Sequence, residues 1–318
     1  MIRAIVGLLI GIGVLAVLLS RLELQQLGMV LWDAHIGLLA IGLGLRVIGM
    51  WIKAVRWAFT IRVATGHPVQ RAFSASLIGF AGNVILPARM GELIRASIMD
   101  KYNQTSLPLA LTTISITQLL DLLVLLGCFL VISMWVTSLF LEHRRIISLL
   151  AIVLVGALGG LIVLQRKAQS LRALVLPMCK RLPDTLNRLL TRYIHLCLQG
   201  LSILNKGAAM SWALLLTFAV WGLETWATYL MLQGFHIRPT VLMAMVLMVG
   251  LNLSYIFPIT PGNLGVAQAM SIILLGTFGV TRESALAYSI GSESLACLII
   301  LGLGVVCFYR EKIQLNTL

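Results

Sequence analysis

Seven ionisable side chains fall inside segments that are otherwise apolar: Arg46, Arg89, Glu92, Arg95, Asp121, Glu224 and Glu293. Three of them share the stretch from Asn83 to Arg95, which reads NVILPARMGELIR. Arginine at a helix start is anion-binding chemistry. The planar guanidinium matches phosphate or carboxylate, and the first turn offers free backbone N–H groups. Pro87 suits the first helical turn, because its missing N–H would find no helical partner anyway. The expected element is a half-helix from Ala88 onward, with Arg89 in its first turn and Gly91 allowing close backbone approach. Glu92 and Arg95 follow at a spacing of three, near one face. The structural alternative is that Glu92 only neutralises Arg89 and Arg95 and pins the segment.

A second break, FPITPGNLG at 257–265, carries Thr260, Pro261, Gly262 and Asn263. It is expected to expose a helix start without a fixed charge, suited to backbone contact with a ligand oxygen or to a plain structural unwinding. Arg46, Lys53 and Arg56 recur on one side of a helix over 36–52. Arg46 should lie deep, whereas Lys53 and Arg56 are long enough to reach the cytoplasmic surface. Asp121, which shares a face with Gln118, is expected to partner Arg46 or Arg95. Glu224 and Glu293 are expected, with Asp121, to balance charge or carry protons. A charge at the bilayer centre costs at least ~2.5–3.5 kcal/mol, so these groups must face a cavity or one another.

The elements that hold these residues follow from composition. Of 318 residues, 59% are hydrophobic and 11% charged, against about a quarter charged in a soluble domain. Mean hydropathy is +1.00. Spanning helices are expected near 3–20, 36–52, 108–134, 146–164, 208–232 and 284–309, each long enough for a hydrocarbon core of about 30 Å. The first is read as a retained signal anchor. The net charge of +13 belongs to cytoplasmic loops under the positive-inside rule, not to a nucleic-acid module. The five cysteines show neither metal-ligand spacing nor a disulfide framework. No nucleophile elbow or Walker loop occurs, so no enzyme activity, metal or cofactor is expected.

Two apolar segments, 72–98 and 241–280, are broken near their middles by proline and glycine. The connection Lys53–Arg71 has four Lys/Arg and no acid, and Gln165–Lys206 has eight against Asp184 alone. Both should be cytoplasmic, which six single crossings permit only if each broken segment enters and leaves from one face. The fold expected is therefore an all-α polytopic helical bundle with two inverted repeats, each containing a broken re-entrant hairpin. Residues 1–164 hold the first hairpin (72–98) and residues 208–318 the second (241–280). A basic linker at 165–207 lies between them on the cytoplasmic side, as do both termini.

The motif Pro87-x-Arg89-x-Gly91-Glu92-x-x-Arg95, followed by Asp121 and by Thr260-Pro261-Gly262-Asn263-Leu264-Gly265, resembles the lysylphosphatidylglycerol synthase transmembrane-region family. That flippase-type domain occurs in the multiple peptide resistance factor and in stand-alone membrane proteins. The resemblance implies movement of lipids or lipid-linked head groups between leaflets of a bacterial inner membrane. Some members carry an aminoacyl-transferase domain after this region. The chain stops at Leu318, so synthesis of aminoacylated lipid is not expected of it. Where the family pattern tends toward Pro-Gly-Gly-x-Gly with a following glutamate, this chain has Asn263 and Gln268; where an arginine is common near the end, it has Glu293.

The substrate-binding set implied is Arg46, Pro87, Arg89, Gly91, Glu92, Arg95, Pro261, Gly262 and Asn263, with membrane lipids and envelope lipid-synthesis enzymes as partners. A small-anion transporter using the same arginines is one alternative. The other is a non-transporting scaffold for envelope lipid or glycan assembly. Oligomeric state has no reading in the sequence.

Overall fold

The computed structural model describes residues 24–66, 69, 71–86, 89–102, 104–135, 206–255 and 260–311, with further positions at 152, 156, 159, 160, 191, 196 and 199–201. The helix expected at 3–20, most of 146–164 and most of the linker at 165–207 lie outside the described residues. Among the described residues the secondary structure is all helical. The order is α1 (Leu24–Trp32), α2 (Ile36–Thr65), α3 (Ala72–Ile85), α4 (Gly91–Lys101), α5 (Leu107–Trp135), α6 (Gly207–Gly234), α7 (Val241–Ser254), a 3₁₀ turn (Pro261–Asn263), α8 (Val266–Gly276) and α9 (Arg282–Arg310). Four helices, α2, α5, α6 and α9, are long and apolar enough to cross a membrane. Large apolar side chains such as Ile41, Trp51, Phe218, Leu298 and Val306 stand exposed on them, as a lipid-facing surface requires.

The helix ends follow local chemistry. His35 caps α2, its Nδ1 accepting from the Leu38 N–H at 3.4 Å. Gly66 ends α2 in the left-handed region and returns its N–H to the Arg62 carbonyl. Thr240 and Thr281 cap α7 and α9 with their hydroxyls.

The structure corrects one expectation and adds one element. Helix α2 does not stop at 52: the stretch read as a loop from Lys53 continues as helix to Thr65, leaving only residues 66–71 to connect. The cause is an apolar stripe that the charges conceal, for Ala54, Trp57, Ile61 and Ala64 are all buried at helical spacing. Helix α1, which no feature of the sequence announced, puts Leu27 into the core beside Phe235 and Tyr288.

The broken segments form two hairpins of the same dimensions. Limbs α3 and α7 each have 14 residues, and α4 and α8 each have 11. At 1.5 Å per residue these reach about 21 and 16 Å, short of a hydrocarbon core of about 30 Å. Limbs α3 and α4 pack backbone to backbone, since a Cβ on Gly91 would overlap the Gly79 carbonyl oxygen.

Side-chain pairs give the helix directions. Leu39 meets Gly234, Gly42 meets Met231, and Arg56 meets Thr217, so α2 and α6 are antiparallel. Arg46 meets Glu293, while Trp57 and Ile61 share a cluster with Cys307 and Phe308, so α2 and α9 run the same way. The base of the first hairpin lies at the end of α9, where Ser74 and Arg71 both reach Glu311. The base of the second lies at the start of α2, where His35 donates its N–H to the Gly234 carbonyl and His236 meets Asp33. The hairpins thus enter the bundle from opposite ends, and their tips meet between them.

Candidate functional site

Where the tips meet, a cavity of about 400 Å³ is lined by α2, α3, α4, α5, α6, α7, α9 and both hairpin tips. All seven charges found at depth in the sequence line it, joined by Lys53 and Arg56. Five cationic side chains face four carboxylates, leaving one formal positive charge.

The charges are held in three groups. Arg46 on α2 lies between Glu224 of α6, at 3.8 Å, and Glu293 of α9, at 3.4 Å. Lys53, about two turns further along the same face of α2, is 3.9 Å from Glu224 and stacks 4.6 Å from the Trp221 ring. The second group is a forked pair: Arg56 donates from Nη1 and Nη2 to the two oxygens of Asp121 at 2.8 and 2.7 Å. Trp221 Nε1 donates to the same carboxylate at 3.1 Å, and Arg56 also donates to Thr217 Oγ1. With Arg56 only 2% exposed, this is a buried charge paired with a carboxylate and hydrogen-bonded through both terminal nitrogens, which is how such a charge is tolerated, although its Nε has no partner among the described residues. The structure therefore corrects two readings: Lys53 and Arg56 turn into the cavity and not out to the membrane surface, and the partner of Asp121 is Arg56, not Arg46 or Arg95.

The third group belongs to the first hairpin. Arg95, 4% exposed, pairs with Glu92 one turn earlier and lies 4.7 Å from the Trp57 ring. Asn83 Nδ2 on the facing limb donates to Glu92 at 3.1 Å. Arg89 is not in the first helical turn. Helix α4 begins at Gly91, and Arg89 precedes it with φ 54°, in the left-handed region that a side chain with a Cβ seldom adopts. Its Nη2 donates to the Tyr255 carbonyl of the other hairpin at 2.9 Å. Among the described residues it is the cavity cation with no carboxylate partner.

The second tip also departs from the expected helix start at Pro261. Gly262 and Asn263 take φ of 58° and 56°, Gly265 takes 82°, and α8 begins only at Val266. The Asn263 N–H returns to the Thr260 carbonyl, and the Thr260 hydroxyl donates to the Leu264 carbonyl. Gln268 accepts the Gly265 N–H at 2.7 Å. It stands where the family pattern tends to have a glutamate and serves as an uncharged cap.

Of the sequence-derived set, Arg46, Arg89, Glu92, Arg95, Asp121, Glu224, Gly262, Asn263 and Glu293 line the cavity. Gly91 does not: its missing side chain serves limb packing. Pro87 lies outside the described residues, and Pro261 is part of the 3₁₀ turn. Not singled out from sequence were Asn83, Tyr255 and Asn252, which also line the cavity. Asn83 was in plain sight as the first residue of the stretch NVILPARMGELIR, while Tyr255 acts through its backbone oxygen, for which no residue type is a signal.

Four spanning helices around two broken hairpins, with the deep charges gathered where the tips meet, define a polytopic helical membrane protein with a polar internal cavity. The family described as the lysylphosphatidylglycerol synthase TM region matches residues 4–304, and the chain belongs to it. A UPF0104 membrane protein of Methanothermobacter thermautotrophicus is 23% identical over 82% of this chain and 81% of its own. Glycosyltransferase AglD of Haloferax volcanii is 23% identical over 98% of this chain, which spans 55% of that protein's length. No solved structure matches.

Proposed function

We propose that the protein is a flippase-type transporter that carries a lipid, or a lipid-linked substrate with an anionic, phosphate-bearing head group, between the leaflets of the bacterial inner membrane. The observation that carries this reading is Arg89, a cation without a carboxylate partner among the described residues, placed where two broken helices meet. A cavity of about 400 Å³ suits a head group, being at the small end of ligand sites. Leu43, Val47 and Met50 on α2 and Ile299 and Ile300 on α9 add apolar wall to the same cavity, a surrounding in which acyl chains would be at home.

The recurring order of a long helix, limbs of 14 and 11 residues, and a second long helix supports two repeats. The antiparallel α2 and α6 support their inversion. Many secondary transporters place a substrate site between inverted repeats with discontinuous helices. In this reading residues 1–164 and 208–318 are the two halves, the basic stretch 165–207 links them in the cytoplasm, and both termini lie on that side. The substrate crosses without chemical change and without a cofactor, and enzymes of envelope lipid synthesis are the partners that make or use it. A glycosylated lipid phosphate is one such cargo, since the Haloferax volcanii relative is named a glycosyltransferase.

The test is translocation in proteoliposomes of fluorescent lipids differing in head group, scored by quenching from outside. Arg89→Ala should abolish translocation while the protein stays folded and in the membrane. Transport at the wild-type rate in that variant contradicts the proposal.

A further inference from the structure

The geometry points to Arg89 as a latch between the two hairpins that a phosphate-bearing anion opens, an inference that rests on the transport reading above. Helix α7 ends at Ser254 with Tyr255 as its cap, and the carbonyls of a last helical turn lack helical partners. Arg89 supplies one, donating to the Tyr255 carbonyl across 166 positions of sequence and setting a positive charge at the negative end of the α7 dipole. A second contact joins the tips without side chains, for a Cβ on Gly262 would stand 3.4 Å from the Val84 carbonyl oxygen. The latch is part of the cavity wall, since Arg89, Val84, Tyr255 and Gly262 all line it.

What makes it a latch and not a fixed strut is the inequality of partners. Arg46, Lys53, Arg56 and Arg95 each meet a carboxylate, whereas Arg89 meets a neutral carbonyl. The bond to Tyr255 has only its donor ionised, whereas a phosphate would pair two opposite charges and can accept both arms of the guanidinium fork, so a phosphate oxygen entering the cavity outcompetes Tyr255. Arg89 is also held at φ 54°, a conformation that persists only while its surroundings enforce it. Taking Arg89 from Tyr255 frees the end of α7 and removes the polar tie between two hairpins that enter from opposite ends. The ligand thereby favours a state with the tips apart, because it binds that state better.

The test places spin labels at Ile85→Cys and Leu264→Cys, beside the two tips, with the five native cysteines replaced by Ser. The distance between them is measured by pulsed electron paramagnetic resonance. Wild-type and Arg89→Gln backgrounds are compared in nanodiscs of digalactosyldiacylglycerol, which has no phosphate, with and without inorganic phosphate, and in nanodiscs of phosphatidylglycerol. The expected result is one short distance in phosphate-free lipid and a longer component in phosphatidylglycerol. Inorganic phosphate alone producing that component assigns the opening anion to a soluble source and also supports the latch. Arg89→Gln should show the longer component in phosphate-free lipid, its population raised about tenfold. Native mass spectrometry on the same samples separates the two ideas. Arg89-dependent retention of phosphatidylglycerol with unchanged distances overturns the latch and leaves transport standing. Unchanged distances with no such retention overturn both.

Discussion

Arg56 illustrates how a charge is carried at depth in this protein. Its guanidinium is forked onto Asp121, Trp221 donates to the same carboxylate, and Thr217 accepts from Arg56. Removing one member leaves the other buried and uncompensated, which costs about 3–5 kcal/mol. Asp121→Ala should therefore lower the unfolding temperature sharply in detergent, and adding Arg56→Leu should recover part of the loss. A single Asp121→Ala variant that melts with wild type would mean that water or another group serves Arg56. The presence of such charges is legible in sequence, because a charge in an apolar run must be offset somewhere. Their pairing is not: it depends on which turn of α2 faces which turn of α5, a register set by packing along both helices. Nor does the sequence reveal the left-handed backbone at Arg89, which no rule of residue type would assign to arginine.

At the scale of elements, glycine decides whether the first hairpin closes. Gly91 packs against the Gly79 backbone and beside Asn83, so Gly91→Ala forces the limbs apart and should prevent folded protein from being recovered. Gly222, inside α6 with nothing near its missing Cβ, is the control. Gly222→Ala should be neutral or stabilise by about 0.5–1 kcal/mol, as an open helical position gains from alanine. Thermal unfolding of the two variants side by side checks both. The hairpins were foreseeable from LPARMG and TPGNLG, since proline and glycine interrupt apolar helices for backbone reasons alone. The true helix starts were not. In both hairpins the second limb begins four or five residues past the proline, at Gly91 and Val266, because Arg89 in one tip and Gly262, Asn263 and Gly265 in the other take left-handed backbone, and Arg89 reaches across to the opposite tip. The end of α2 was misplaced for the opposite reason: charge in Lys53–Arg62 looks like a loop, yet the buried stripe through Trp57 and Ile61 keeps the helix running.

For the whole molecule, the hairpin bases lie at opposite ends of the bundle, with Tyr102 stacked on Arg71 near the end of α9 and His236 against Asp33 near the start of α2. A membrane-impermeant thiol reagent should therefore label Tyr102→Cys from one side of sealed vesicles and His236→Cys from the other. Labelling of both from one side contradicts two hairpins entering from opposite faces. In the function proposed above, the charged cavity between these hairpins receives an anionic lipid head group at Arg89. Mass spectrometry of the lipids retained by the purified protein, wild type against Arg89→Ala, tests it without a prior choice of substrate. One phosphate-bearing lipid class enriched in wild type and lost in the variant is the result predicted; identical lipid profiles would contradict it.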